Sequence, residues 1–302
     1  MSVSYNRLCE LVPAGEVRQK EPMSRHTTFR AGGPAAYYVE PVGEEELTAV
    51  IGCCQETNTP YYILGSGSNL LVSDQGYDGV IIALEKSWNS IGVEGSRIYA
   101  GAGAKLSRLA KAALDASLTG FEFAAGIPGT AGGAVVMNAG AYGCEMKNVL
   151  SQVRVLAPDG SCRSINTEEL KLGYRTSCVA LKRYVVLAVV LDLKPGDPVR
   201  IRSQMTELAT ARKAKQPLEF PSAGSTFKRP GGYFAGKLIE DAGLAGLRIG
   251  DAQVSEKHCG FVINRGKATA SDIMQLCREV QDKVKETFDV ILELEVKTLG
   301  EF

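Results

Sequence analysis

Histidine is almost missing from this chain of 302 residues, with only His26 and His258, and tryptophan occurs once. Two histidines cannot furnish a multi-histidine metal centre. The eight cysteines, at 9, 53, 54, 144, 162, 178, 259 and 277, include no C-x-x-C pair, which removes zinc-ribbon and thioredoxin-like readings. No metal is expected, and free thiols point to a reducing cytoplasm. Net charge is also absent: 34 Lys and Arg balance 34 Asp and Glu, so no global basic field exists to hold nucleic acid. Long apolar runs are lacking. The most apolar stretch, Tyr184 to Leu191, is eight residues long and ends at Asp192, far below the ~20 residues of a membrane span. The N-terminus carries no apolar stretch of signal-peptide type. Neither a repeat of solenoid length nor a low-complexity tract is present. The expectation is a cytoplasmic protein without membrane insertion, a monomer by default.

What is abundant is glycine. The chain has 33, or about 11% against a usual ~7%. Hydrophobic residues make up 45%, enough for a sizeable core without disulfide or metal staples. Leu47, Val50, Ile51 and Cys54 share one helix face, and a second helix is expected over 105–117. Pro158-Asp159-Gly160 between two apolar runs signals a hairpin. Asn166 and Glu169 have the spacing of a capping box opening a short helix. Further helices are expected near 199–214, over 233–242 with Gly243 beyond the end, and over 271–287. The segment 289–299 alternates Leu292, Leu294 and Val296 against Glu293, Glu295 and Lys297, the pattern of a strand. Strands and helices mix without a regular βαβ rhythm, which indicates an α+β fold. Pro195-Gly196-Asp197-Pro198 is the clearest linker.

Two glycine-rich stretches carry chemistry. Gly65-Ser66-Gly67-Ser68-Asn69-Leu70-Leu71 follows a strand. A Gly/Ser loop leaves successive N–H groups open to an anion, yet it is neither a dinucleotide-fold fingerprint nor a P-loop. The second runs Ala125-Gly126-Ile127-Pro128-Gly129-Thr130-Ala131-Gly132-Gly133 and on through Asn138-Ala139-Gly140-Ala141-Tyr142-Gly143. Seven glycines fall between 120 and 143, where a tight turn needs one or two. Several peptide units lying against a ligand, a pyrophosphate above all, would account for the run. Glycine-rich turns, or close strand packing, would account for it without a ligand.

These two stretches resemble the FAD-binding segments of the UDP-N-acetylenolpyruvoylglucosamine reductase (MurB) family. The resemblance continues through HTTFRAGGPA at 26–35, Gly173-Tyr174-Arg175-Thr176-Ser177, Lys215-Gln216-Pro217, Ser222 to Pro230, His258 to Asn264 and Leu292 to Val296. It spans about residues 26–300 in order, nearly the whole chain. The spacing from Arg175 to Ser225 is similar to the shorter, type II branch. Cys259 stands where a small residue such as alanine is usual, and Leu294 where proline is common; neither departure removes a reacting group.

The resemblance implies an FAD-binding fold of the vanillyl-alcohol-oxidase (PCMH) type in two subdomains, 1–90 and 91–196, with a C-terminal α+β substrate domain at 197–302. It implies noncovalent FAD, NADPH as hydride donor, and UDP-N-acetylglucosamine enolpyruvate as substrate in peptidoglycan precursor synthesis. Gly65, Ser66, Gly67, Ser68, Asn69, Leu70, Ala125, Gly126, Ile127, Pro128, Gly129, Thr130, Gly132, Gly133, Asn138, Ala139, Gly140 and Tyr142 would meet the cofactor. Arg175 would stabilise the enolate, since a guanidinium stays charged and grips a carboxylate with two donors. Ser225 would donate the proton to C2, and Glu295 would orient Arg175 or act as an acid. Glu293 shares the strand face of Glu295 and is its alternative should the register differ. Tyr174, Lys215, Lys228, Arg229, His258 and Asn264 would contact the substrate, the cations neutralising a diphosphate. Two other readings compete: an oxygen-using oxidase of the same fold, and a nonenzymatic nucleotide-sugar binder.

Overall fold

The structure, a computed structural model, describes residues 3–302. The chain divides into two compact units. One takes residues up to Arg18, Tyr37–Ser66 and Val80–Arg212, and the other Gln19–Ala36, Gly67–Gly79 and Lys213–Phe302. Each has its own apolar core.

In the first unit, five antiparallel strands form a sheet in the order Cys162–Asn166, Leu150–Leu156, Val185–Asp192, Arg97–Gly101, Ile91–Glu94. The hairpin expected at Pro158-Asp159-Gly160 is present, with Leu156 opposite Cys162. Val153, Val189, Leu191 and Ile98 lie on the buried face of this sheet. The helices Gly43–Glu56 and Leu106–Asp115 add Leu47, Val50, Leu106 and Leu109 to the same core. Tyr61–Leu64 runs parallel to Tyr77–Ala83 and delivers the first glycine loop at its end.

The second unit packs the helices Ala235–Asp241 and Ala270–Phe288 with a small antiparallel sheet of Arg248–Ile249, Ala252–Val254 and Val262–Asn264. Ile273, Leu276, Cys277, Val280 and Val284 are buried at helical spacing, as their period requires. Leu276, Val280, Ile239, Phe29 and Leu292 are central members of this core.

Three expectations change. The segment read as a strand over 289–299 pairs as a ladder only at Lys297–Leu299, parallel to Leu70–Val72. That partner is itself three residues long, so the ladder can extend no further. Burial still alternates, with Leu292 and Val296 inside and Glu293 out. The Asn166–Glu169 capping box does form, each side chain bonding the other's backbone N–H at 2.9 and 3.2 Å, but it closes a turn. Lys171 follows in a left-handed conformation, φ 48°, which stops helical growth. The helix expected over 233–242 begins at Ala235.

The helix Ala270–Phe288 has two N-terminal anchors. Thr269 and Asp272 form a reciprocal capping box. Asp74 adds a second one, accepting from the N–H groups of Ala270 and Ser271 at 2.8 Å each and from Ser271 Oγ at 2.6 Å. Burial alone would raise the Asp74 pKa, but the Ser271 hydroxyl and the two N–H groups outweigh it and hold the carboxyl below its ordinary 3.8. A depressed native pKa stabilises the fold above about pH 4, and that contribution is lost as pH falls through the native value. Asp74→Ala is therefore expected to cost ~1–2 kcal/mol in urea unfolding at pH 7. The difference from wild type should shrink as the buffer is taken below pH ~3. An equal difference at both pH values would contradict the assignment.

Candidate functional site

In the first unit the two glycine stretches are joined by side chains. A Cβ on Gly65 would lie 2.4 Å from Thr130 Oγ1, so only glycine fits there. Ser66 Oγ donates to Glu85, whose other oxygen pairs with Lys105 Nζ at 2.9 Å. Lys105 in turn bridges Thr130 across a backbone pair. Glu85 had no signal in the sequence.

The helix Ala131–Val136 is shorter than its glycines suggested as an anion anchor, and its first N–H groups are already used. Ala131 and Gly132 donate to the carbonyls of Ala104 and Ala102 at 2.8 Å, and Gly133 donates to Thr130 Oγ1. Gly132 is needed because a Cβ would meet Ala102 at 3.0 Å, a packing reason rather than a ligand one. The exposed part of the stretch precedes this helix, at Gly126 and Pro128. There the Arg212 side chain lies over Gly126, Cδ and Nη1 being 3.2 and 3.3 Å from where a Cβ would stand. Burial pushes the Arg212 guanidinium below its usual range. Among the described residues no carboxylate pairs with it.

Farther along, Asn138 is fully buried in a left-handed conformation. Its amide donates to Gly173 O and Glu145 Oε2 at 3.0 Å and accepts from Lys147 N–H at 3.0 Å. Ser177 Oγ donates to Val136 O at 2.9 Å. Together these fasten the turn Gly173–Thr176, whose end residues exchange both backbone bonds at 3.1 and 3.3 Å. Arg175 occupies its corner with φ 54°. A non-glycine residue there stores roughly 1–2 kcal/mol of strain. Tyr174 is half exposed and its ring faces the Arg175 guanidinium at 5.2 Å. Tyr142, also left-handed and exposed, donates its hydroxyl to Leu208 O at 3.1 Å.

In the second unit Ser225 is exposed and follows Gly224, which has φ 77° and open space around it. The next residue, Thr226, is buried and fully used. Its N–H donates to Gly260 O at 2.8 Å, its Oγ1 accepts from Val262 N–H at 2.9 Å, and its carbonyl accepts from Glu295 N–H at 2.8 Å. Ser225 and Glu295 are thereby neighbours through one residue, and Asn69 Nδ2 donates to Glu295 O at 3.1 Å. The pairing continues with Phe227 opposite Leu294 and Lys228 N–H on Glu293 O at 2.8 Å. Lys228 Nζ pairs with the Glu293 carboxylate at 2.8 Å and holds its pKa below the usual range. The backbone of Glu295, not that of Glu293, bonds the residue next to Ser225.

The other expected substrate residues are placed as follows. Lys215 is exposed at the end of the helix Pro198–Lys215. Arg229 stacks on Phe234 at 3.9 Å and donates to Tyr233 O at 3.3 Å. His258 Nδ1 accepts from Gly260 N–H at 3.1 Å, and its ring packs edge-on against Phe261. Burial pushes its pKa down, which favours the neutral ring over an acid. Asn264 is buried, donating to Phe29 O at 2.9 Å and accepting from the N–H groups of Gly266 and Ala268, so its amide serves the fold.

The first glycine loop offers donors for an anionic group. The N–H groups of Ser66 and Gly67 meet no acceptor among the described residues. Gly67 has φ 60°, and a Cβ on it would lie 1.9 Å from His26 O. Thr28 Oγ1 is buried without a partner, on a segment whose Thr28 N–H donates to Gly67 O at 3.2 Å. Open donors on a glycine loop suit the diphosphate of FAD.

A model of the UDP-N-acetylenolpyruvoylglucosamine reductase C-terminal domain matches residues 216–299, and one of an FAD binding domain matches 35–166. The UDP-N-acetylenolpyruvoylglucosamine reductase of Lachnoclostridium phytofermentans is 52% identical, covering 99% of this chain and 98% of its own. That of Clostridium perfringens is 50% identical over 98% and 97%. The crystal structure of UDP-N-acetylenolpyruvylglucosamine reductase from Thermus caldophilus superposes with a TM-score of 0.81 at 38% identity, covering 95% of this chain and 99% of the other.

Gly67→Ala is expected to destabilise the protein by ~1–3 kcal/mol from backbone conformation alone and to strip bound flavin. Gly231, with nothing within 4 Å, should tolerate alanine to within ~0.5 kcal/mol. Melting curves and the flavin absorbance of the purified variants check both; a yellow, fully stable Gly67→Ala protein would contradict the loop assignment.

Proposed function

Since the chain belongs to the UDP-N-acetylenolpyruvoylglucosamine reductase family, we propose that Arg175, Ser225 and Glu295 form its reaction centre. The protein is a flavoprotein oxidoreductase of peptidoglycan precursor synthesis that uses FAD and NADPH. Its reaction reduces the enolpyruvyl C=C bond of UDP-N-acetylglucosamine enolpyruvate to the lactyl ether of UDP-N-acetylmuramate. When bound, FAD supplies hydride transfer, from NADPH through its N5 to C3 of the enolpyruvyl group.

The chain's own residues manage the charge and proton that follow. Negative charge develops on C2 and the carboxylate, and a permanent guanidinium lowers its energy most where water is excluded. Arg175 fills that role from a turn whose ends are clamped by Asn138 and Ser177, so its position is set before substrate arrives. Ser225 presents an exposed hydroxyl on a glycine-flanked loop and gives its proton to C2. A serine is a weak acid, so the acceptor must be the strongly basic enolate, and water restores the proton afterwards. Glu295, a half-buried residue whose N–H bonds Thr226 O next to that loop, is assigned to orient Arg175 or to act as an acid.

Residues 1–90 and 91–196 carry the flavin motifs and 197–302 the substrate motifs, which is the functional division we adopt. The open N–H groups of Ser66 and Gly67 favour the first glycine loop as the diphosphate cradle, with Gly126 to Gly129 beside Arg212 as the second contact. Exposed Lys215 is the cation best suited to the substrate diphosphate, whereas Lys228 is held by Glu293. The cysteines are all unpaired, in keeping with a reducing cytoplasm where NADPH and nucleotide sugars are found. No helix among the described residues is long and apolar enough to cross a membrane. We take a single chain as the working unit.

The observation that carries the reading is the bond from Glu295 N–H to Thr226 O, which sets two residues distant in sequence around one loop. Ser225→Ala should leave flavin reduction by NADPH at the wild-type rate. Reoxidation of the reduced flavin by the enolpyruvyl substrate, measured anaerobically by stopped flow, should slow ~100-fold or more. Wild-type rates in both half-reactions would remove Ser225 as proton donor.

A further inference from the structure

Two buried side-chain polar atoms have no hydrogen-bond partner among the described residues, Gln216 Oε1 and Thr28 Oγ1. Leaving such an atom unpaired destabilises a protein, so it persists where something outside the chain completes it. Thr28 is the more informative of the two because its surroundings are defined. The preceding Thr27 has the same side chain and is satisfied: its Oγ1 donates to Ala31 O at 3.0 Å. Arg30 N–H closes the same turn onto Thr27 O at 3.1 Å. Nothing local serves Thr28 in this way.

The Thr28 backbone N–H donates to Gly67 O at 3.2 Å. His26 O and Thr27 Cα would stand 1.9 and 3.0 Å from a Cβ on Gly67, so residues 26–28 lie directly against that glycine. The carbonyl of Gly67 is therefore occupied, while its N–H is open. A buried hydroxyl and an open N–H on adjoining backbone make a donor set for a phosphate oxygen, which accepts from several donors at once.

We propose that the Thr28 hydroxyl is a phosphate contact of the bound flavin, completing the cradle that the glycine loop begins. This rests on the FAD reading of that loop. The hydroxyl donates its proton to a diphosphate oxygen, and Thr28 is thus a binding residue on a segment outside both glycine stretches. The orphaned atom also makes a prediction of sign. In the flavin-free protein the hydroxyl is a liability, and an isosteric methyl in its place removes that liability. In the loaded protein the same methyl removes a bond to a charged group.

The test uses apoprotein freed of flavin, with FAD affinity measured by titration calorimetry and apoprotein stability by melting. Thr28→Val is expected to melt at or above wild-type apoprotein, yet to bind FAD about tenfold more weakly. Thr28→Ser, which keeps the hydroxyl, should bind FAD as wild type does. Unchanged FAD affinity in Thr28→Val overturns the proposal. So does weaker binding that Thr28→Ser shares, or that comes with a lower melting point of the Thr28→Val apoprotein, since both mark a packing role. Unchanged FAD affinity with a raised KM for NADPH would assign the hydroxyl to the nicotinamide nucleotide instead. Failure of wild-type apoprotein to bind FAD at all is a separate result, and it overturns the flavin reading itself.

Discussion

The second unit depends on the pairing of one buried residue. Thr226 spends its N–H, its carbonyl and its hydroxyl on three separate segments, and a buried backbone group has no cheaper option than to be paired. Gly260, Val262 and Glu295 are those partners. The outcome is that Ser225 stands free at the surface while the residue beside it is locked. The bond to Glu295 also sets a register that runs on through Phe227 with Leu294 and Lys228 with Glu293. A shift by one residue would exchange the faces of this segment and bring Leu292 and Val296 out of the core. The backbone bond to Thr226 therefore sets Glu295 at the serine loop, while Glu293, two residues away, pairs with Lys228.

The first unit solves a related problem with strain. Arg175 sits at a corner that disfavours its side chain, held by Asn138 and Ser177 from the end of the glycine stretch. The position is maintained by hydrogen bonds worth more together than the ~1–2 kcal/mol the backbone gives up. For the substrate role proposed for Arg175, a backbone held beforehand leaves less of the chain to order on binding.

Local periodicity made much of this fold legible. The helix faces at Leu47 to Cys54 and Ile273 to Val284 and the hairpin at Pro158 to Gly160 follow from patterns a few residues long. The family motifs named the residues proposed to react. What stayed hidden were long-range partners of ordinary polar residues: Asp74 on a distant helix start, Glu85 on Ser66, Thr226 at its three-way junction, Arg212 over Gly126. Nothing near them in sequence signals the partner. Glycine was ambiguous for a physical reason. A missing Cβ admits a neighbouring group of the chain as readily as a ligand: Gly101 and Gly103 give way to Trp88 O and Leu84 O and Gly126 to the Arg212 side chain, whereas the N–H of Gly67 stays open. Likewise, the cations clustered around Ser225 in sequence separate in space, one neutralised by Glu293 and one stacked on Phe234.

We propose that the Thr226 junction, more than the identity of the residues around it, presents Ser225 and Glu295 to the substrate. Its most direct test is anaerobic rapid mixing of the NADPH-reduced Thr226→Val and Thr226→Ser proteins with UDP-N-acetylglucosamine enolpyruvate. Thr226→Val, with the Val262 N–H left unpaired, should be reduced normally by NADPH but reoxidised by substrate about tenfold or more slowly, while Thr226→Ser should behave as wild type. Reoxidation of Thr226→Val at the wild-type rate would contradict it.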